Sequence, residues 1–295
     1  ELVEAGHEVM VSVFMHRDFH ENVIRLKKKG AVLHQRPFPS YYKGQRFTGR
    51  VLAELLLRTG LENTRIDWIK VIKFKPESVL ISSGETFDYS LSDKSFIVKY
   101  CHKNQIPFYL ISQFNWEHDM DITDQFRDSR KKLVQLSSGN LFVSIRNYKT
   151  AERQIAGQIP NVRIICNPIK TDVKLPLPFP NSNVAKIAVV ARYQSFIKGQ
   201  DLLIKSLSSN ALRDIPFIVS LYGSGDDASY LEKLISFYNL NDKVRICGSA
   251  SSIEEVWKEN QFFILPSRAE GTSLAMLEAM GSGRTGLVTN VGDSA

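Results

Sequence analysis

The second half of the chain alternates short apolar runs with stretches of helical periodicity, and this alternation limits the folds open to it. The apolar runs are IAVVA (187–191), FIVSLY (217–222), VRIC (244–247), FFIL (262–265) and GLVT (286–289). The intervening stretches predict helices over 200–209, 228–238, 253–259 and 273–280. Continuous apolar strands that alternate with helices are typical of a parallel sheet covered on both faces. We therefore predict a doubly wound α/β domain in this half.

The first 174 residues follow the same alternation less regularly. Strands are predicted at 8–14, 31–34, 79–83, 108–112, 141–145 and 162–166, and helices at 20–29, 48–59, 90–104, 122–136 and 149–157. Between the halves, LPLPFPNSN has three prolines at alternate positions, which forbid a helix and favour an extended connector. We predict an N-terminal domain (1–174), a linker (175–183) and a C-terminal domain (184–295), with ligand at the carboxyl ends of the strands.

Composition excludes several classes of protein. No apolar run approaches the roughly 20 residues that cross a bilayer, and Cys101, Cys166 and Cys247 are far apart and lack metal-ligand spacing. Reduced thiols are typical of a cytoplasmic protein. The formal net charge is +7, and residues 1–50 contain nine Lys or Arg against five Asp or Glu. This basic segment predicts peripheral contact with an anionic inner membrane face, the alternative being a solvated helix end. No nucleic-acid recognition motif accompanies the charge.

The segment FFILPSRAEGTSLAMLEAMGSG (262–283) contains the most clearly recognisable candidate for a ligand-binding site. An apolar strand ends at Pro266, a loop with Glu270 and Gly271 follows, and a helix that contains Glu278 begins at Thr272 or Ser273. A strand that leads through a glycine-containing loop into a helix directs free backbone N–H groups beyond the sheet edge, where they bind anions. Carboxylates repel phosphate but accept hydrogen bonds from hydroxyl groups. Together these groups predict a site for a sugar nucleotide.

This segment resembles the Glu-x7-Glu signature of retaining glycosyltransferases of family four. Three further segments resemble the family pattern in the family's order: ARYQSFIKGQDLLIKSL (191–207), LYGSGDDASYLEKLISFYNLNDKVRICGS (221–249) and GLVTNVGDSA (286–295). The resemblance implies a GT-B fold, with two doubly wound Rossmann-like domains facing each other across a cleft. One departure is Arg284-Thr285-Gly286, where the family commonly has a proline two residues after Gly283. That difference bears on loop rigidity more than on chemistry.

The resemblance also implies that the chain is a fragment truncated at both ends. ELVEAGHEVMVSVF resembles the end of the family's first helix and its second strand, so the first strand and its Gly-rich loop are expected to be missing. The family continues beyond the last residue through a further helix and a final helix that crosses back to the first domain.

The resemblance assigns the donor-binding residues. Arg192 and Lys198 contact the diphosphate and stabilise the leaving group without a metal. Glu278 accepts hydrogen bonds from the ribose, and Glu270 orients the donor sugar at the reaction centre. The other donor-binding candidates are Gly271, Thr272, Ser273, Leu274, Gly223, Gly225 and Arg245. The alternatives are that Arg192 and Lys198 are surface cations near Asp201 and that Glu278 is an ordinary glutamate on the helix surface. For Gly223 and Gly225, the alternative is that they serve only a turn.

The acceptor side is predicted near the loop ISQFNWEHDMD (111–121). By resemblance His118 faces the donor sugar as a catalytic residue, with a plain loop histidine as the alternative, and Gln113 and Asn115 are close to it. Ser83 and Gly84 follow a strand and are predicted to border the acceptor. The sequence SIRN (144–147) is expected to close a strand, with Arg146 either facing an anionic acceptor or lying on the surface.

The sequence thus predicts a cytoplasmic, retaining, metal-independent glycosyltransferase. It would move a hexose from a UDP-, GDP- or ADP-sugar, without a cofactor, to a hydroxyl of a glycan or lipid-linked saccharide. Cell-envelope polysaccharide synthesis is the setting that the resemblance implies. The alternatives are a non-catalytic sugar-nucleotide-binding protein, whether degenerate or truncated, and another GT-B enzyme such as a sugar-nucleotide epimerase or a phosphorylase.

Overall fold

The computed structural model describes residues 1–14, 21–36, 68–86, 91–117, 123–167 and 176–294. The chain divides into two compact units. The first comprises Glu1–Ile81, Tyr89–Tyr109 and Gln135–Ser138, and the second comprises Ser82–Asp88, Leu110–Val134 and Gly139–Ala295. The predicted helix at 48–59 lies outside the described residues. The predicted domain and linker boundaries remain predictions.

The first unit contains a two-stranded parallel sheet. Strand β1 (Met10–Phe14) pairs with β2 (Val32–Arg36), with Met10 opposite Val32, and helix α1 (Glu21–Lys28) connects the strands. Helix α2 (Ile69–Phe74) was not predicted from the sequence. Helix α3 (Phe96–Lys103) buries Cys101, and burial raises the pKa of its thiol to about 11. This thiol therefore stays protonated at neutral pH.

A four-stranded sheet has the order β3-β4-β5-β6. Its strands are β3 (Val79–Glu85), β4 (Phe108–Phe114), β5 (Gly139–Phe142) and β6 (Val162–Ile164), and helices α4 (Asp124–Leu136) and α5 (Ile145–Ile155) follow β4 and β5. Strands β5 and β6 are parallel. The prediction that SIRN closes a strand is wrong, because β5 ends at Phe142 and Ser144 is the N-cap of α5. The Ser144 hydroxyl accepts a hydrogen bond from the Asn147 N–H at 3.1 Å, which favours a helix start at this point.

The second unit contains a five-stranded parallel sheet of order β11-β10-β7-β8-β9. Its strands are β7 (Ala185–Val190), β8 (Phe217–Tyr222), β9 (Val244–Gly248), β10 (Phe262–Leu265) and β11 (Thr285–Val288). The helices between them are α6 (Ser195–Lys198), α7 (Gln200–Leu207), α8 (Ala228–Phe237), α9 (Ile253–Glu259) and α10 (Leu274–Gly281), with a short 3₁₀ helix at Asn210–Leu212. The predicted alternation of parallel strands and helices is confirmed.

Both faces of this sheet are covered by apolar side chains. Val189 belongs to a buried cluster with Val219 and Leu231, whereas its neighbour Ala188 belongs to a second cluster with Trp257. Because successive side chains of a strand point to opposite faces, the two clusters lie on opposite sides of the sheet. The continuous apolar runs in the sequence reflect this burial on both sides.

Arg284 ties the connector before β7 to the rest of the second unit. It is buried, and its guanidinium donates hydrogen bonds to the carbonyl oxygens of Trp257 (2.9 and 2.5 Å), Ser282 (2.8 Å), Leu177 (3.2 Å) and Pro178 (2.7 Å). Residues 176–183 form neither helix nor strand, as the prolines predict. Burial lowers the pKa of Arg284 below its usual value. The Arg284 guanidinium thus fixes a segment that carries no regular structure, whereas the missing proline of the family pattern concerns the next position, Thr285.

No helix within the described ranges is long and apolar enough to cross a lipid bilayer.

Candidate functional site

The order of the five-stranded sheet creates a crevice at its carboxyl edge. Strand β7 lies between β10 and β8, so the chain first builds the sheet toward β9 and then returns to add β10 and β11 on the other side. The connections that follow β7 and β10 therefore diverge, and ligands bind at such a switch point in open α/β sheets. The connection after β7 carries Arg192 and Lys198, and the loop after β10 carries Glu270.

Lys198 and Glu270 meet at this point. The Lys198 Nζ lies 2.7 Å from the Glu270 Oε1, and the Ser267 hydroxyl donates to the same oxygen at 2.7 Å. The two charged side chains are only 18% and 12% exposed. Within the described part of the chain, the other carboxylate oxygen of Glu270, Oε2, accepts no hydrogen bond. The site therefore pairs a cation with a carboxylate that keeps acceptor capacity for a ligand.

Arg192 is exposed, and it forms no ion pair among the described residues. Its main chain is held in place, because its carbonyl oxygen accepts a hydrogen bond from the Gln200 side chain at 2.7 Å. The alternative was that both cations are surface groups near Asp201; Lys198 is instead shielded and pairs with Glu270, while Asp201 pairs with Arg268. Arg192 thus presents a free cation beside the switch point.

The glycines after β8 allow a close approach to the Arg192 loop. A Cβ on Gly223 would lie 1.9 Å from the Ala191 carbonyl oxygen, and a Cβ on Gly225 would lie 2.3 Å from the Tyr193 carbonyl oxygen. Their φ angles of +152° and +157° also disfavour larger residues. These glycines support the loop that carries Arg192, and their contact with a nucleotide remains a prediction.

The loop after β10 packs against the ends of β4 and β5. A Cβ on Gly271 would lie 1.9 Å from the Gln113 carbonyl oxygen, and the Thr272 hydroxyl donates to the Val143 carbonyl oxygen at 2.5 Å. The Asn147 amide donates to the Glu270 carbonyl oxygen at 3.0 Å. The structure therefore brings Gln113 beside Gly271 and fixes the main chain on both sides of the Glu270 carboxylate.

Helix α10 begins with a side-chain cap. The Ser273 hydroxyl accepts from the Met276 N–H at 3.4 Å, while the N–H groups of Leu274 and Ala275 lie in the first turn, where no helical acceptor exists. The Leu274 side chain is exposed. The helix start thus retains donors that are suited to an anion.

Glu278 follows one turn later in α10 and is largely shielded from water. Burial raises the pKa of its carboxyl group, and its side chain has no hydrogen bond or ion pair to any residue that the structure describes. A shielded carboxylate without donors is unfavourable unless a ligand supplies them. This environment is compatible with the predicted contact to ribose hydroxyls.

Sequence reasoning missed a buried carboxylate, Glu117. It accepts a hydrogen bond from the Gly292 N–H at 2.8 Å and forms an ion pair with Arg146 at 2.5 Å. Arg146 also donates to the side chain of Asn290. Arg146 is therefore engaged with Glu117 and is 39% exposed. The signal in the sequence was the glycine at position 292; its φ is +56°, and a Cβ there would lie 2.3 Å from the Gly271 carbonyl oxygen and 2.5 Å from the Glu270 carbonyl oxygen.

Several acceptor-side candidates are engaged within the protein. The Asn115 amide is buried and donates to the Gln154 side chain at 2.8 Å and the Asn147 carbonyl oxygen at 3.4 Å. The Ser83 hydroxyl donates to the Ile111 carbonyl oxygen at 3.1 Å. The remaining candidates are placed as follows: Gly84 lies beside the Phe114 ring, Arg245 is exposed on β9 opposite Ser220, and His118 lies outside the described residues. Their functional roles remain predictions.

Among the residues that the structure describes, no three His, Cys, Asp or Glu side chains are grouped to hold a metal ion.

Comparison with known proteins identifies relatives of the C-terminal part of the chain. Residues 185–295 match the sequence model of the family described as Glycosyl transferases group 1. Over 84 residues the chain is 29% identical to the UDP-N-acetylglucosamine–peptide N-acetylglucosaminyltransferase GtfA subunit of Streptococcus pneumoniae serotype 4. The aligned segment covers 28% of this chain and 16% of that protein.

Solved structures extend the comparison to most of the chain. Anabaena HepE in complex with UDP and glucose aligns with a TM-score of 0.65 at 16% identity, covering 96% of this chain and 73% of HepE. A variant of S. aureus TarM in complex with fondaparinux, alpha-GlcNAc-glycerol and UDP aligns with a TM-score of 0.52 at 20% identity, covering 63% of this chain and 37% of TarM. The chain thus spans less than half the length of TarM and of the GtfA subunit. These likenesses confirm the predicted fold, which is α/β of the GT-B type with parallel sheets.

Proposed function

We propose that the chain is the catalytic part of a retaining glycosyltransferase of family four that uses a nucleoside-diphosphate sugar. The observation that carries the proposal is the contact of Lys198 with Glu270 at the switch point of the parallel sheet. The match of residues 185–295 to glycosyl transferases group 1 supports it. A cation, a carboxylate and the free amides of a helix start are the groups that a sugar diphosphate requires.

Transfer of the sugar needs stabilisation of the charge that develops on the departing diphosphate. Lys198, held by Glu270, and the exposed Arg192 are cations that supply it without a metal, and the first-turn amides of α10 add to it. A bound diphosphate gives Lys198 a new anionic partner. Glu270 then faces the donor sugar, where its carboxylate orients the ring and stabilises the positive charge that builds up at the anomeric carbon.

We further propose that the donor is a UDP-hexose and that the acceptor is a hydroxyl of a glycan or lipid-linked saccharide in cell-envelope polysaccharide synthesis. Support for the nucleotide comes from HepE and TarM, which were crystallised with UDP, and from the name of the GtfA subunit. The half-buried Glu278 supplies the acceptor for ribose hydroxyls. No other cofactor enters the proposed reaction.

A thermal-shift screen of UDP-, GDP- and ADP-sugars tests the donor site. A ligand at a hundredfold excess over its Kd stabilises the folded chain by about 2.7 kcal/mol, and we expect this rise for UDP-sugars. Lys198→Ala is expected to remove most of it. The matched control Lys205→Ala changes a lysine on α7 outside the loops of the site and keeps the rise. If no nucleotide sugar raises the melting temperature of the unmodified chain, the donor site does not exist. Binding without consumption of the sugar nucleotide favours the non-catalytic alternative.

We also propose that the protein acts on the cytoplasmic side of a membrane and touches anionic lipid through α1. This helix exposes Arg25, Lys27 and Lys28, and its apolar side chains Ile24 and Leu26 are 47% and 41% exposed. Each basic residue near an anionic surface contributes about 1 kcal/mol. Sedimentation with vesicles should show binding to phosphatidylserine-containing vesicles that weakens in Lys27→Glu/Lys28→Glu. Equal binding to neutral phosphatidylcholine vesicles would contradict the proposal.

A further inference from the structure

Lys198 lies at the end of a helix that is too short to hold its own position. Helix α6 has four residues, and the side chain of its N-cap residue Gln194 makes no capping hydrogen bond; the Ser195 N–H donates instead to the Asp227 carboxylate at 2.6 Å. One helical turn is unfavourable in isolation, because it fixes several residues for a single hydrogen bond. The position of Lys198 at the switch point must therefore be set by groups outside α6.

Arg268 supplies two contacts of this kind, beside that of Asp227. Its backbone N–H donates to the Ile197 carbonyl oxygen at 2.7 Å, and its guanidinium Nη1 donates to the Ser195 carbonyl oxygen at 2.7 Å. Arg268 thus binds α6 at both its first and third residues. Since Arg268 lies two positions before Glu270, the same short loop carries the carboxylate and holds the helix of the cation.

The guanidinium is itself fixed by Asp201 in the first turn of α7. Its Nη1 and Nη2 donate to the two carboxylate oxygens at 2.8 and 2.7 Å, and the side chains are 31% and 25% exposed. Arg268 holds the pKa of the Asp201 carboxyl below its usual range. A two-pronged pair of this type fixes orientation as well as charge, which a lysine does not reproduce.

A third contact between α6 and the loop after β10 leaves little room for α6 to move. Gly199 joins α6 to α7 with a φ of +66°, and a Cβ there would lie 1.9 Å from the Pro266 carbonyl oxygen. The joint between the helices therefore packs directly against the loop that contains Arg268.

We propose that Arg268, fixed by Asp201, is a positioning residue for sugar transfer that holds α6 so that the Lys198 ammonium stays at the Glu270 carboxylate. This inference rests on the proposed function, and it adds a residue that contacts neither the donor nor the acceptor. Arg268 acts through Lys198.

The test compares Arg268→Lys and Asp201→Asn with a matched control. Glu254→Gln breaks an ion pair with Lys258, at 2.5 Å within α9, that lies outside the site. We expect kcat for donor consumption to fall about tenfold to hundredfold in the two test variants, because misplacement of a reacting group by about 1 Å has effects of that size. The KM for the UDP-sugar should rise as well, because a displaced Lys198 also binds the diphosphate less well. The control should keep both values.

A second readout does not depend on turnover. In the ligand-free protein, acetylation of Lys198 by acetic anhydride, followed by mass spectrometry, should be several-fold faster in the test variants than in the control. If the variants only lower the melting temperature, with kcat and Lys198 acetylation unchanged well below it, Arg268 is merely structural and the inference is wrong. An unmodified chain that neither binds nor consumes any sugar nucleotide would instead overturn the proposed function. The acetylation result would still decide whether Arg268 holds Lys198.

The double variant Arg268→Lys/Asp201→Asn gives a further check. Residues that act as one unit are not additive, so the double variant should be no slower than Arg268→Lys alone. Independent, multiplying losses in kcat would contradict a shared role.

Discussion

Glu270→Gln is expected to slow sugar transfer by about a thousandfold while donor binding stays within about threefold of the unmodified chain. The amide has nearly the shape of the carboxylate, so the hydrogen bond from Ser267 at 2.7 Å can persist. The negative charge that faces the sugar in the transition state is lost. Donor binding is spared, because Lys198 no longer shares its charge with Glu270 and remains available to the diphosphate.

Single-turnover consumption of the UDP-sugar and calorimetric titration with UDP separate these two effects. Glu255→Gln is the matched control, since the Glu255 carboxylate also accepts a hydrogen bond from a serine, Ser251, at 2.6 Å but is exposed on α9. It should leave both quantities unchanged. A Glu270→Gln variant that turns over at the rate of the unmodified chain would remove Glu270 from the reaction centre.

The parallel sheet could be predicted from the sequence because its strands are short, mainly apolar runs bounded by polar or turn residues. The predicted bounds of β8 and β10 agree with the structure at both ends. Burial on both faces explains this, since nearly every position of these two strands is apolar, with Ser220 in β8 the exception. Helix α9 was also predicted with correct bounds, and Ser252 caps it by accepting from the Glu254 N–H.

The contacts that organise the candidate site could not be predicted in the same way. Arg268 and Asp201 are 67 positions apart, and Glu117 and Gly292 are 175 positions apart. Such pairs depend on the order of strands in the sheet, which local periodicity does not encode. Helix α6 also escaped prediction, because a single turn is too short to show a period of 3.6 residues.

The contacts of Arg284 could not be predicted from the sequence either. The sequence suggested a loop that lacks a stiffening proline. In the structure the guanidinium reaches four separate carbonyl oxygens on α9, the end of α10 and the connector. The proline of the family pattern belongs at position 285, so Arg284 does not replace it; its five donors instead hold the connector before β7.

Glu278→Gln is expected to stabilise the ligand-free protein and to weaken nucleotide binding. Burial raises the pKa of the Glu278 carboxyl group in the folded chain. A raised pKa of an acid means that the folded state binds its proton more tightly than the unfolded chain does. The stability of the unmodified chain therefore falls as pH rises from the pKa of the unfolded chain through the higher pKa of the folded chain. Glutamine carries no charge and avoids this loss, so we expect the free energy of unfolding at pH 7 to rise.

The gain in stability should disappear below about pH 4, where glutamate is protonated in both states. Binding should respond in the opposite direction, because the ribose hydroxyls lose a charged acceptor. Hydrogen bonds to charged groups contribute about 1.5–3 kcal/mol each, so UDP affinity at pH 7 should fall about a hundredfold. In the unmodified chain, UDP affinity should also fall as pH drops through the raised pKa of Glu278.

Urea unfolding at several pH values and calorimetric titration with UDP measure the two effects on the same samples. Glu232→Gln provides the control, because Glu232 is an exposed glutamate on α8 and should change neither quantity. A rise in the free energy of unfolding together with a fall in UDP affinity would show that the Glu278 carboxylate destabilises the fold and serves ligand binding. Loss of both stability and UDP affinity would mean that Glu278 supports the structure of α10. Unchanged affinity would place the ribose elsewhere.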